Sequence, residues 1–128
     1  MEDRVDNTDP IAEAGPDQAR AQQVMCSWNG SSWSCPPCET WTATLDGAGS
    51  VDPDGDRLFF AWVVSSSTAP AFSLSGDMTR TPALTLEPPP AEYGRTNSYA
   101  LILKLEVEDC LGERDVDTTL VTYTCTGK

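Results

Sequence analysis

Residues 99–108 read Tyr-Ala-Leu-Ile-Leu-Lys-Leu-Glu-Val-Glu, and they alternate. Tyr99, Leu101, Leu103, Leu105 and Val107 fall on one side; Ala100, Ile102, Lys104, Glu106 and Glu108 fall on the other. A period of two with one apolar side describes a β-strand lying on a core, whereas a helix would repeat at 3.6. Downstream, Asp115 to Thr124 is rich in Thr and Val, which suit a pleated surface. Between them lies Cys110-Leu-Gly-Glu-Arg114, where Gly112 can take the positive φ of a tight turn. The two segments are expected to form a hairpin.

The same reading extends toward the N-terminus. Leu58, Phe60, Trp62 and Val64 share one side of a second strand, with Trp62 at the centre of the core. Thr40 to Leu45 gives a third strand, with Trp41, Ala43 and Leu45 on one side. Ala83 to Glu87 and Ile11 to Ala14 are shorter candidates. Gln18 to Met25 holds helix formers but has no apolar stripe. Prolines interrupt the chain at 36–37 and 88–90, and Ser65 to Pro70 reads as a loop. Turn signals between short apolar strands describe an all-β chain.

The 128 residues suffice for one domain. The net charge of −12 makes nucleic acid and anionic membrane poor partners, and no apolar run is long enough to cross a bilayer. Histidine is absent, which removes the commonest general base and transition-metal ligand. There is no nucleophile elbow and no phosphate-binding glycine loop. Glu106 and Glu108 lie on the polar side of a strand, where solvation accounts for them. The expectation is a protein that is not an enzyme.

The most informative loop is Leu45-Asp-Gly-Ala-Gly-Ser50-Val-Asp52-Pro-Asp54-Gly-Asp56. Alternating carboxylates in a tight loop can converge on a hard cation such as calcium. Asp-Pro-Asp-Gly is equally a plain turn, in which Pro sets φ and Asp accepts from backbone amides. An EF-hand fails: Arg57 stands where its glycine belongs, and Val63 where its bidentate glutamate belongs.

With Ala12-Glu-Ala14-Gly15-Pro-Asp17-Gln18 before this loop, the strand ending in Trp62 after it, and Leu105-Glu-Val-Glu-Asp109-Cys-Leu-Gly112 later, the chain resembles the PKD (polycystic kidney disease) domain family. The resemblance runs from about Pro10 to Val121. It implies an immunoglobulin-like β-sandwich of about seven strands in two sheets, usually a module of secreted or surface proteins. It also implies calcium ligands at Asp52, Asp54 and Asp109, with Asn7 or Asp9 at the domain entry. Residues 1–9 are expected to be a flexible arm, and 10–128 a single domain. An insertion at about 24–39 departs from the family pattern and carries Cys26, Cys35 and Cys38.

In such a sandwich the entry, the Asp-rich loop and the last turn share one end, and the insertion lies at the other with Cys125. Cys110, at the turn, is then a whole strand away from Cys125, beyond disulfide reach. Four cysteines can pair in three ways. Cys26–Cys35 with Cys38–Cys125 is favoured, and Cys26–Cys38 with Cys35–Cys125 is the second choice. A redox Cys-x-x-Cys and a four-thiolate zinc site are further alternatives. Cys110 is the odd cysteine, expected as a thiol outside both bridges or as an intermolecular cross-link. Trp28 and Trp33 in the insertion either form a binding surface or fold back over the core, and Asn29-Gly-Ser31 matches a glycosylation sequon.

The expected function is a non-catalytic extracellular binding or adhesion module that contacts a protein or polysaccharide surface. The alternative is a structural subunit or spacer that self-associates into a larger array. An inhibitor built on a rigid disulfide loop is a more remote reading.

Overall fold

The computed structural model describes residues 8–128. Asn7, one of the expected entry ligands, lies outside them, as does most of the expected arm. Among the described residues nine strands form: β1 (Gln18–Val24), β2 (Ser27–Trp28), β3 (Trp33–Ser34), β4 (Trp41–Thr44), β5 (Phe59–Ser67), β6 (Phe72–Ser75), β7 (Ala83–Leu86), β8 (Thr96–Glu108) and β9 (Arg114–Gly127). Seven of them build two sheets, in the orders β1-β9-β8-β5 and β4-β7-β6. β2 and β3 form a separate hairpin inside the insertion. The fold is all-β.

The alternation of 99–108 becomes burial. Leu101, Leu103, Leu105 and Val107 are fully buried, while Ile102 on the opposite side is exposed. Tyr123, Val121 and Cys125 do the same on β9, and Leu84 and Leu86 face them from β7. Trp62 lies in this core, and its indole N–H donates to the Thr79 carbonyl (3.0 Å), so its burial leaves no orphan donor. The rings of Trp41 on β4 and Tyr123 on β9 meet at 5.8 Å between the two sheets. The Tyr123 hydroxyl donates to the Glu39 carbonyl (2.7 Å) and lies 2.9 Å from Gln22 Oε1.

Three segments differ from their sequence reading. Gln18–Val24 is a strand, β1, paired in parallel with β9 from Gln18–Val121 to Val24–Gly127. It carries no long apolar residue before Val24 because its inward positions are only half-buried at the sheet edge. β5 continues through Ser65 to Ser67, with a register shift between Val64 and Ser66, where a loop was expected. Ile11 makes a single bridge to Val51 in place of a full strand.

Side-chain carboxylates pin the entry segment. Asp115 Oδ2 accepts from Ala12 N–H (2.8 Å), Asp117 Oδ2 from Ala14 N–H (2.7 Å), and Asp17 Oδ1 from Leu120 N–H (3.0 Å). Part of the acidity is therefore spent on satisfying backbone donors that no ladder reaches.

Candidate functional site

The molecule has two chemically different poles. At the first, the loop 46–56 is seated by reciprocal backbone hydrogen bonds between Ile11 and Val51 (2.8 and 3.0 Å). Gly47 lies so close to the core that a Cβ there would sit 2.9 Å from the Trp62 ring and 3.1 Å from Leu105. Gly55, at φ +77°, closes the Asp-Pro-Asp-Gly turn, with its N–H on the Asp52 carbonyl (2.9 Å).

Asp52, Asp56 and Asp109 converge here, each offering a carboxylate oxygen within 4.8 Å of the others. Asp109 is buried, and its Oδ1 accepts from the N–H groups of Leu111 and Glu113 (both 2.9 Å), so it also builds the β8–β9 turn. Asp52 Oδ1 accepts from Asp54 N–H (2.8 Å), while its Oδ2 is shielded from solvent and has no hydrogen-bond donor among the described residues. Asp54 stands outside this trio, with its Oδ2 accepting from Thr8 N–H (2.7 Å). Asp9 shares a side-chain hydrogen bond with Glu113. That bond, then repulsion from Asp9, desolvation and repulsion from Asp109 push the Glu113 carboxyl above its ordinary value. Asp56, named in the sequence as part of the alternating loop, joins the cluster through the turn at Gly55.

These donors fit a hard divalent ion. All are oxygens, they bring three carboxylates together, and one buried oxygen has no donor among the described residues. Cys110 is exposed at the same pole and outside both disulfides.

The second pole is the insertion. Disulfides join Cys26 to Cys35 and Cys38 to Cys125, the first closing the β2–β3 hairpin and the second tying the insertion to β9. The hairpin turn is held by Asn29 Oδ1, which accepts from the N–H groups of Ser31 and Ser32 (both 2.9 Å). Backbone bonds from Cys26 N–H to Lys128 O (2.7 Å) and Lys128 N–H to Val24 O (3.0 Å) bring the last residue here.

Trp28 and Trp33 are 55 % and 44 % exposed, so neither folds back into the core. Their rings lie 5.6 Å apart at 56°. Trp33 stacks on Tyr93, with centroids 3.7 Å apart and planes within 4°. Tyr93 itself is 47 % exposed. The sequence reading missed Tyr93: it comes from the remote segment between β7 and β8, brought here by bridges from Pro90 to Pro37 and from Tyr93 to Gly127. The result is an exposed three-ring surface on a disulfide-closed support.

Two disulfides fit an oxidising compartment. Among the described residues, no helix is long and apolar enough to cross a membrane. The chain matches no protein-family model, and no curated protein matches it. It is similar to solved structures at the level of fold. One is a nucleoside hydrolase-related hypothetical protein from Saccharophagus degradans, associated with carbohydrate metabolism. Identity is 15 %, with a TM-score of 0.54 over 95 % of this chain but only 26 % of the other. Another is the PKD domain of the KIAA 1837 protein, with 16 % identity and a TM-score of 0.56 over 90 % of this chain and 86 % of that one. The two packed sheets and this likeness together make the fold an immunoglobulin-like β-sandwich of the PKD type.

Proposed function

We propose that this protein is a non-catalytic extracellular binding module whose contact surface is the Trp28–Trp33–Tyr93 cluster. The carrying observation is the exposure of three adjoining rings on a hairpin closed by a disulfide. Flat aromatic faces, fixed before contact, lose little entropy on binding and suit the apolar faces of sugar rings. The description of the Saccharophagus protein as associated with carbohydrate metabolism favours polysaccharide over protein as the partner. Affinity electrophoresis through gels containing soluble polysaccharides tests this. Retardation of the wild type by at least one of them, and its loss in a Trp28→Ala/Trp33→Ala variant of unchanged melting temperature, is the expected result. Equal mobility of both proteins on every polysaccharide would sink it.

Calcium belongs to the opposite pole in this reading. Asp52, Asp56 and Asp109 hold the ion, with Asp54 and Asp9 as neighbours, and its charge relieves the crowding of carboxylates. The ion would rigidify the domain entry. The test is thermal melting in EDTA and at millimolar calcium: a higher midpoint with calcium is expected, and coincident curves would exclude the site.

The spacer reading has one observation of its own. The acidic pole and the aromatic pole lie at opposite ends of the sandwich, so copies associating pole to pole would stack end to end. Light scattering separates the two: a monomer at all concentrations favours the binding module, and growing assemblies favour the subunit.

A further inference from the structure

Five arginines fall among the described residues. Three are ion-paired: Arg20 with Glu39 (2.7 Å), Arg95 with Glu92 (3.1 Å), and Arg114 with Glu106 and Glu108 (3.3 and 3.7 Å). No carboxylate among the described residues pairs with Arg57 or Arg80, in a chain with 20 acidic residues and 8 basic ones. Those two arginines line the same open cleft of about 300 Å³, with Leu58, Phe59, Phe60, Met78 and Thr79.

The aromatic rings hold both guanidiniums in place. Arg57 lies over the Phe59 ring at 5.5 Å, and Arg80 over the Phe60 ring at 5.7 Å. The floor between them is apolar, with Phe59 51 % and Met78 77 % exposed. A second cleft of about 280 Å³ shares Phe59, Phe60 and Met78 and continues to the Glu106–Glu108–Arg114 group. The groove is thus elongated, positive at one end and apolar in the middle. It runs beside β5, the edge strand of its sheet, against the turn whose Asp77 carbonyl accepts from Trp62 N–H (2.8 Å).

We propose that this groove docks an extended acidic peptide segment of a partner protein, with a carboxylate held between Arg57 and Arg80 and an apolar side chain laid on Phe59 and Met78. Charge complementarity selects the anion, since guanidinium forks match carboxylates. The elongated shape selects an extended chain. A neutral sugar is disfavoured because it offers the two guanidiniums no anion. The groove is separate from the Trp28–Trp33–Tyr93 surface, so neither proposal depends on the other.

Fluorescence anisotropy with a labelled synthetic peptide alternating Glu and Phe tests the idea. The peptide should bind the intact protein, weaken as salt rises, and lose about tenfold or more in affinity with R57Q or R80Q, the scale of one charge-assisted hydrogen bond. Arg95→Gln, at the other pole, should leave binding unchanged. Melting curves check that each variant folds, and Arg57→Lys serves if the glutamine variants do not. Equal binding of a peptide with Gln in place of Glu, or binding unaffected by the arginine changes, would overturn the proposal. So would absence of peptide binding alongside binding of polygalacturonate, which would make an acidic polysaccharide the occupant.

Discussion

Asp109 carries two duties that substitution can pull apart. Its Oδ1 organises the last turn, and its charge joins Asp52 and Asp56. Asp109→Asn keeps a carbonyl oxygen for the turn and removes the charge. We expect its melting point in EDTA to stay close to wild type while the calcium response disappears. Asp109→Ala removes the acceptor as well, leaving two amides without their partner, and should cost about 2–3 kcal/mol in urea titrations without metal. Similar behaviour of the two variants in EDTA would mean that the turn bonds contribute nothing. Tyr123 is a second informative residue. Burial, more than the opposing pull of Arg20 or the added push of Glu39, raises its phenol above the usual 10.0. A raised folded value means that the neutral form carries the stability. That contribution is complete below pH 10 and is lost as pH climbs through the raised value. Tyr99 is raised too, by burial first and then by Glu92. Spectrophotometric titration should therefore show tyrosine ionisation later than in a free peptide, together with a fall in stability over the same range. A curve with no late component would refute this.

Among the elements, the β2–β3 hairpin has the least intrinsic stability: its paired residues number two on each side, and all are exposed. The Cys26–Cys35 bond, with a sequence separation of 9, is what gives it one shape. Loop-closure entropy for so short a span is worth roughly 2–3 kcal/mol. A Cys26→Ser/Cys35→Ser variant should keep the sandwich, as judged by far-ultraviolet circular dichroism, but lose the ordered Trp33–Tyr93 stack. Its near-ultraviolet signal should fall and polysaccharide retention should vanish with it. Unchanged retention would show that the hairpin needs no bridge. The elements also show what was legible beforehand. β8 and β9 were readable because one of their faces meets a core, so the alternation is imprinted in residue type. β1 was not, because an edge strand of Gln, Ala and Arg buries little and its pairing is decided by β9. Tyr93 was invisible for a related reason. Its stacking partner lies 60 residues away, and only the bridges around Pro90 and Gly127 bring the two together.

At the scale of the whole molecule, the Cys38–Cys125 bond closes a span of 87 residues around most of both sheets. A closed loop of that size restricts the unfolded chain by roughly 4–5 kcal/mol, a large part of what a domain of this length possesses. Cys38→Ser/Cys125→Ser should therefore lower the unfolding midpoint far more than loss of the shorter bridge. A smaller drop than in the hairpin variant would contradict this ordering. The acidic loop could be read from sequence as a turn or an ion site because Asp, Pro and Gly serve both. The choice of Asp56 over Asp54 for the carboxylate trio depended on how the loop sits against Asp109, a long-range fact. The Arg57–Arg80 groove depended on the turn at 76–80 lying along β5, which no local pattern encodes.

The parallel pairing of β1 with β9 has a mechanical consequence. Traction at Thr8 and Lys128 draws these two strands past one another, so their rungs share the load together instead of opening one by one. Resistance to such pulling is governed by the rate of rupture, not by equilibrium stability. If the rungs do give way, the cross-link between residues 38 and 125 keeps the intervening chain from paying out. The protein would then behave as a short tether with a hard stop, yielding a little length under strain and no more until the sulfurs are reduced.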